Sequence, residues 1–197
     1  MTRDPARRPR RDASRPTDLR RRSAGARQEH PRYLVLGEGP TEKNYFDGFK
    51  RRGLNLIVKD GGDDHRAVAR RAVEATREDY DAVWCVLDTE LDSALVADLQ
   101  EIVAGHDVRL ALSAPCFEVW LLLHKRKWTR PLHSADAAGR ELRQLMPQWR
   151  KGAGTRHADF VKHIDTAITE AKRLDPTGRD HGKNPSTNVW QLVELIR

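Results

Sequence analysis

The sequence predicts an α/β domain, a four-stranded and mostly parallel sheet flanked by helices, followed by a helical extension. Three observations carry that expectation. Short apolar runs alternate with helical patterns between residues 31 and 125, as consecutive βαβ units require. From 126 to 197 only helical patterns follow. Residues 1–30 show neither period, which leaves them as a disordered basic tail.

Tyr33-Leu34-Val35-Leu36 is a continuous apolar run closed by Gly37-Glu38-Gly39-Pro40, a buried strand followed by a turn. Thr41 is placed to cap a helix running to about Arg52. A second strand covers Leu54 to Val58 and turns at Gly61-Gly62. An amphipathic helix then carries Val68, Ala72 and Ala75 on one face. The third strand, Ala82 to Leu87, is the most apolar and stops at Asp88. Ser93 to Ala104 reads as a helix, Val108 to Leu112 as the fourth strand, and Phe117 to His124 as an apolar, buried helix opened by Pro115. Further helices are expected near Ser134–Leu145, Thr155–Leu174 and Thr187–Ile196, with no strand after residue 125. Crossovers of helical length between successive strands imply parallel pairing with both faces covered.

The chain of 197 residues has a formal net charge of +7, but the charge is unevenly spread. Residues 1–30 contain ten arginines against four acids, so the remainder is nearly neutral. Arg7, Arg8, Arg10, Arg11, Arg20, Arg21 and Arg22 form the densest part. Such an arm suits nucleic acid through phosphate contacts, or is simply solvated. Acids and prolines among these arginines spoil the amphipathic helix of a transit peptide, and neither a secretory segment nor an apolar run of membrane-spanning length occurs. With two cysteines, Cys85 and Cys116, each inside an apolar segment, the expectation is a reduced cytoplasmic protein.

In open α/β sheets ligands bind beyond the carboxyl ends of the strands. Acids gather there: Glu38 after the first strand, Asp63 and Asp64 after the second, and Asp88, Glu90 and Asp92 after the third. Glu42 stands near the start of the first helix, and Glu118 just after the fourth strand. Converging carboxylates repel one another unless a hard cation lies between them, and Mg²⁺ or Mn²⁺ fits such oxygen-rich sites. Asp92 is equally suited to cap the third helix, and Asp63 or Asp64 the second. Glu118 in an apolar helix needs a partner, either a cation or a structural ion pair. His124 lies six positions further on and off Glu118's face, which reads as a helix-end residue rather than a general base.

Leu36-Gly37-Glu38-Gly39-Pro40-Thr41-Glu42 with Asn44-Tyr45-Phe46, Val86-Leu87-Asp88-Thr89-Glu90, Ser113-Ala114-Pro115-Cys116-Phe117-Glu118-Val119-Trp120-Leu121-Leu122-Leu123-His124, and Asn184-Pro185-Ser186-Thr187 with Leu192-Val193 resemble the RloB-like family from about residue 32 to the end. That family is bacterial, tied to restriction-associated and abortive-infection loci, and often stands beside an ATPase gene. Its acidic pattern is similar to the Toprim fold of topoisomerases, primases and overcoming-lysogenization-defect nucleases. The resemblance therefore implies a Toprim-like core over residues 31–125 and a helical extension over 126–197. Glu38 matches the Toprim glutamate, while Asp88 and Glu90 match its Asp-x-Asp pair. Two positions depart: Glu90 replaces an aspartate, and Ala114 stands where the family usually has asparagine.

The expected function is Mg²⁺-dependent cleavage of phosphodiester bonds in DNA or RNA during anti-phage defence, with an AAA- or ABC-type ATPase as partner. Glu38, Asp88 and Glu90 are the catalytic candidates, and Glu38, Asp88, Glu90 and Asp92 the ligands. Glu42, Asp63 and Glu118 are candidates for an additional site. Glu38 is left as general base or second-metal ligand. The alternative is a non-catalytic subunit that binds nucleic acid or the ATPase and retains a degenerate site.

Overall fold

The computed structural model describes residues 30–62 and 64–197. The arginines of the basic tail and Asp63 lie outside the described residues. Four strands, β1 (Arg32–Gly37), β2 (Asn55–Asp60), β3 (Ala82–Asp88) and β4 (Val108–Ala114), pair in parallel. They alternate with α1 (Pro40–Asp47), α2 (His65–Ala75) and α3 (Ser93–Val103), and α4 (Glu118–Leu123) follows β4. The chain continues through α5 (Ala135–Leu145), α6 (Ile164–Leu174), β5 (Ser186–Thr187) and α7 (Val189–Ile196).

The expected four-stranded sheet is thus a mixed five-stranded one, ordered β2-β1-β3-β4-β5. β5 runs antiparallel to the end of β4, pairing Ser113 with Thr187 and Ala114 with Ser186. Two residues carry no readable period, so this strand comes from tertiary contact. Asn188 extends it: its side chain accepts from the Leu112 N–H at 2.6 Å and donates to the Leu110 carbonyl at 3.0 Å. One amide side chain therefore serves the sheet edge as another residue of strand would.

Alternation along the strands divides the core in two. On β1, Val35 faces one layer while Leu34 and Leu36 face the other; on β3, Trp84 and Val86 oppose Val83, Cys85 and Leu87. The second set packs on Val68, Ala69 and Ala72 of α2 and on Leu95 and Leu99 of α3. The first packs on α1 and on the four later helices, so the C-terminal helices share a core with the sheet. α4 is buried along its whole length, as its apolar sequence requires.

The helix expected from Thr187 begins at Val189, after β5, and two others depart further from expectation. α1 starts two residues earlier, at Pro40, whose fixed φ suits the first helical position, and stops at Asp47 before Gly48. Thr41 therefore does not cap it; its hydroxyl accepts from the Gly152 N–H at 2.7 Å. The helix expected from Thr155 begins only at Ile164. Before it the chain makes three short 3-10 turns, Gly152–Gly154, His157–Asp159 and Val161–His163, the first two bonded to other elements. Trp149 donates to the Thr155 hydroxyl at 3.0 Å, and His157 Nδ1 lies 2.9 Å from the Tyr45 carbonyl oxygen. Those external bonds replace the ladder that a continuous helix would form.

The crossing between β1 and β2 is tight. A Cβ at Gly61 would lie 2.7 Å from the Gly37 carbonyl oxygen and under 3 Å from Val68. Because the first obstacle is backbone, Gly61→Ala should destabilise the fold by about 1–3 kcal/mol, the usual cost of overpacking. A lowered urea midpoint at unchanged slope would register it; an unchanged midpoint would show that the strand ends separate freely.

Candidate functional site

β1 and β3 are neighbours, and the chain leaves them in opposite directions along the sheet, β1 toward β2 and β3 toward β4. This is the switch point at which open α/β sheets leave a crevice. Glu38 follows β1 and Asp88 ends β3, both at its mouth. The Asp88 N–H donates to Glu38 Oε1. Asp88 Oδ1 in turn accepts the Phe117 N–H at 2.8 Å, which ties β3 to the start of α4. The turn after Ala114, through Pro115, returns the chain so that Cys116 and Glu118 face Asp88. Asp88, Cys116 and Glu118 thereby bring one potential ligand atom each within 4.8 Å of one another.

Glu42 enters from the other side. The Gly39 N–H donates to its carboxylate at 3.1 Å, which folds the side chain back over the turn. Gly37 permits this, since a Cβ there would stand 2.7 Å from Glu42 Cβ. Glu42 is buried, and burial first, then the negative charge of Glu38 and Glu118, pushes its carboxyl up to about 8. Burial likewise raises Asp88 well above the usual carboxylate range, reinforced by Glu38, Glu42 and Glu118.

Glu118 is 1% exposed, and neither of its carboxylate oxygens has a hydrogen-bond partner. Its nearest cation is Lys151, at 3.4 Å from Oε1 and itself largely solvent-exposed. Partial burial works against the lysine's charge, but Glu118 and Asp88 hold its pKa above the ordinary value. Burial, followed by Glu118 and Asp88, pushes the Cys116 thiol up, so it stays protonated. On the outer side His65 Nε2 stands 3.1 Å from Glu38 Oε1, and that carboxylate raises the imidazole pKa.

The remaining candidates lie apart from this group. Glu90 is exposed on a left-handed turn with Leu91, at φ 51° and 60°, with its N–H bonded to the Pro115 carbonyl. Its charge falls on His65. Asp92 Oδ1 accepts from the Ala94 and Leu95 N–H groups, and Asp64 from Arg66, so both cap helices. His124 is buried between Tyr45 Oη at 3.1 Å and the Trp120 carbonyl at 2.9 Å. Burial holds its pKa down at about 3, and the neutral ring completes a core network.

Sequence reasoning did not single out Lys151 or His65, and it read Cys116 only as core. Cys116 sits two residues before Glu118 in a segment that must pass Asp88, which was the available signal. Lys151 had none, being a lysine 33 positions from Glu118 in an ordinary surface run.

A family model described as RloB-like protein matches residues 33–196. No curated protein and no solved structure matches the chain. No helix among the described residues is long and apolar enough to cross a membrane.

Proposed function

The chain belongs to the RloB-like family, and from that membership and the carboxylate centre we propose a Toprim-like nuclease that hydrolyses phosphodiester bonds of DNA or RNA with Mg²⁺ or Mn²⁺. Glu118 carries the reading. A carboxylate with no exposed surface to speak of and no hydrogen-bond partner, beside a second buried carboxyl, is costly for the fold. A hard cation offsets that cost better than any group present, because Lys151 satisfies one oxygen at ion-pair distance only.

The donor set suits oxygen-loving ions. Asp88 and Glu118 would hold the cation, with Glu42 and Glu38 adding negative charge around it. Cys116 favours a soft metal only as thiolate, which its raised pKa opposes. When bound, the ion supplies charge neutralisation at the phosphate and acidifies an attacking water. Lys151 brings its ammonium over the same centre, placed to neutralise a phosphate oxygen. Glu38 holds the end of β3 through the Asp88 N–H, and its contact with His65 favours the protonated form of that imidazole beside the crevice.

Family membership supports a setting in anti-phage defence with an ATPase partner. The exposed position of Glu90 favours the second reading, a non-catalytic subunit that binds nucleic acid or the ATPase. The deciding assay incubates end-labelled single- and double-stranded DNA and RNA with the full chain. Fragments are expected with Mg²⁺ or Mn²⁺ and not with EDTA. Intact substrates under every condition, with the ATPase included, would leave the binding subunit.

A further inference from the structure

The acidic centre repels the polymer that it is proposed to cut, so a nucleic acid needs cationic anchorage elsewhere on the same end of the sheet. The segment after α4 meets that need. His124-Lys125-Arg126-Lys127-Trp128-Thr129-Arg130-Pro131-Leu132-His133 contains no acid, although the chain beyond the tail is nearly neutral. Arg126, Lys127 and Arg130 are exposed, and none has a carboxylate within ion-pair distance among the described residues.

The two arginines are held in place. Trp128 is buried and donates from its indole N–H to the Arg130 carbonyl at 2.7 Å. The Arg130 guanidinium lies 4.7 Å from the indole centroid and that of Arg126 5.8 Å. A guanidinium held against an aromatic ring keeps its N–H edges free for phosphate oxygens and loses little freedom on binding. Beside them a cavity of about 220 Å³ is lined by Arg130, His133 and Arg140, with Glu141 as its one acid.

Covalent and hydrogen-bonded links run from this patch to the centre. The Asn184 side chain bonds both backbone groups of Leu132, accepting at 3.1 Å and donating at 2.8 Å. Two residues on, β5 pairs with Ser113 and Ala114, and Ser113 is itself paired with Asp88. Three residues before Asn184, His181 lines a cavity of about 160 Å³ together with Thr89, Asp92 and Ser93 just beyond Asp88. Three residues span at most about 10 Å, so Leu132 and that cavity are neighbours.

We propose that Arg126, Lys127, Arg130 and Arg140, arrayed around Trp128, bind the phosphodiester backbone of the nucleic acid that reaches the Asp88 centre. This rests on the nucleic-acid reading of that centre, whether it cuts or only binds. Trp128 is too buried to stack on a base, so the patch grips without reading sequence.

The test uses the full chain in EDTA, where nothing is cut, with fluorescent DNA and RNA oligonucleotides of unrelated sequences. Anisotropy is followed across a salt series for the wild type and for R126Q/K127Q/R130Q, whose exposed substitutions leave the core untouched. The variant should bind about tenfold or more weakly near physiological salt. Its slope of log affinity against log salt should fall by about 2 to 3, equally for all sequences. Tail arginines contribute to both proteins and cancel in the difference. Unchanged affinity and slope would overturn the proposal and leave the patch to an acidic protein partner. A loss confined to one sequence would also overturn it, since that is base readout. Cleavage in Mg²⁺ is scored separately, so failure of the nuclease reading is distinguishable from failure of the anchor.

Discussion

Asp88→Asn should lower cation-dependent cleavage at least a hundredfold, about 2.7 kcal/mol of transition-state stabilisation, on the scale of removing one electrostatic group from an active site. The amide keeps an oxygen that can accept the Phe117 N–H, so the link from β3 to α4 survives. It also removes one charge from a crowded buried group, and the variant should unfold no more easily than the wild type without metal. Loss of cleavage with retained fold and retained nucleic-acid binding is therefore the expected pattern. Glu118→Gln should behave similarly, with the ion pair to the largely exposed Lys151 lost as well. Glu90→Asp separates positions within the acidic pair. If Glu90 stands in for the family's aspartate, the shorter side chain preserves or improves activity. Should Asp88→Asn cut as well as the wild type, the Asp88 centre is not the one that cleaves.

Without divalent cations the protein should lose stability as pH rises from about 5 to 8. The sign follows from which state holds the protons. Glu42 has a folded pKa of about 8 against an ordinary 4.5, so between these values the native state keeps a proton that the unfolded chain releases. Stability is then fully present below the unfolded value and falls as pH climbs through the folded one. The decline from this buried group is up to about 5 kcal/mol, at no more than about 1.4 kcal/mol per pH unit. Asp88, raised in the same direction, steepens it. His65 adds to it as well, because the proton held against Glu38 is lost on the way up. Mg²⁺ at a hundred times its dissociation constant should restore about 2.7 kcal/mol at the alkaline end. Urea midpoints at three pH values, in EDTA and in Mg²⁺, give both results. A midpoint that is flat or rising with pH in EDTA would mean that the carboxylates ionise freely and do not form a strained cluster.

By itself the sequence determined the alternation of β1 to β4 with α1 to α4, because hydrophobic period and turn residues are local properties that each segment expresses alone. It also determined that Glu38 and Asp88 share one end of the sheet, since parallel pairing sends every strand's carboxyl end the same way. Helix capping by Asp92 and Asp64 was legible for the same local reason. Glu90 was not separable from Asp88 by pattern. Two positions apart at a strand end they look equivalent, and a left-handed turn carries Glu90 outward.

Only the tertiary structure decided the rest. β5 exists because Ser186 and Thr187 meet the open edge of β4, and two residues have no period to betray them. The late start of α6 was decided by bonds to Tyr45 and Trp149, which outweigh helix propensity in the segment before Ile164. Glu42, Glu118 and Lys151 meet at Asp88 from segments as far apart as 109 positions, from Glu42 to Lys151. No local pattern encodes such a meeting. It arises when the packed layers bring the carboxylates into one buried cluster that Lys151 reaches from the surface, where water screens their charges poorly.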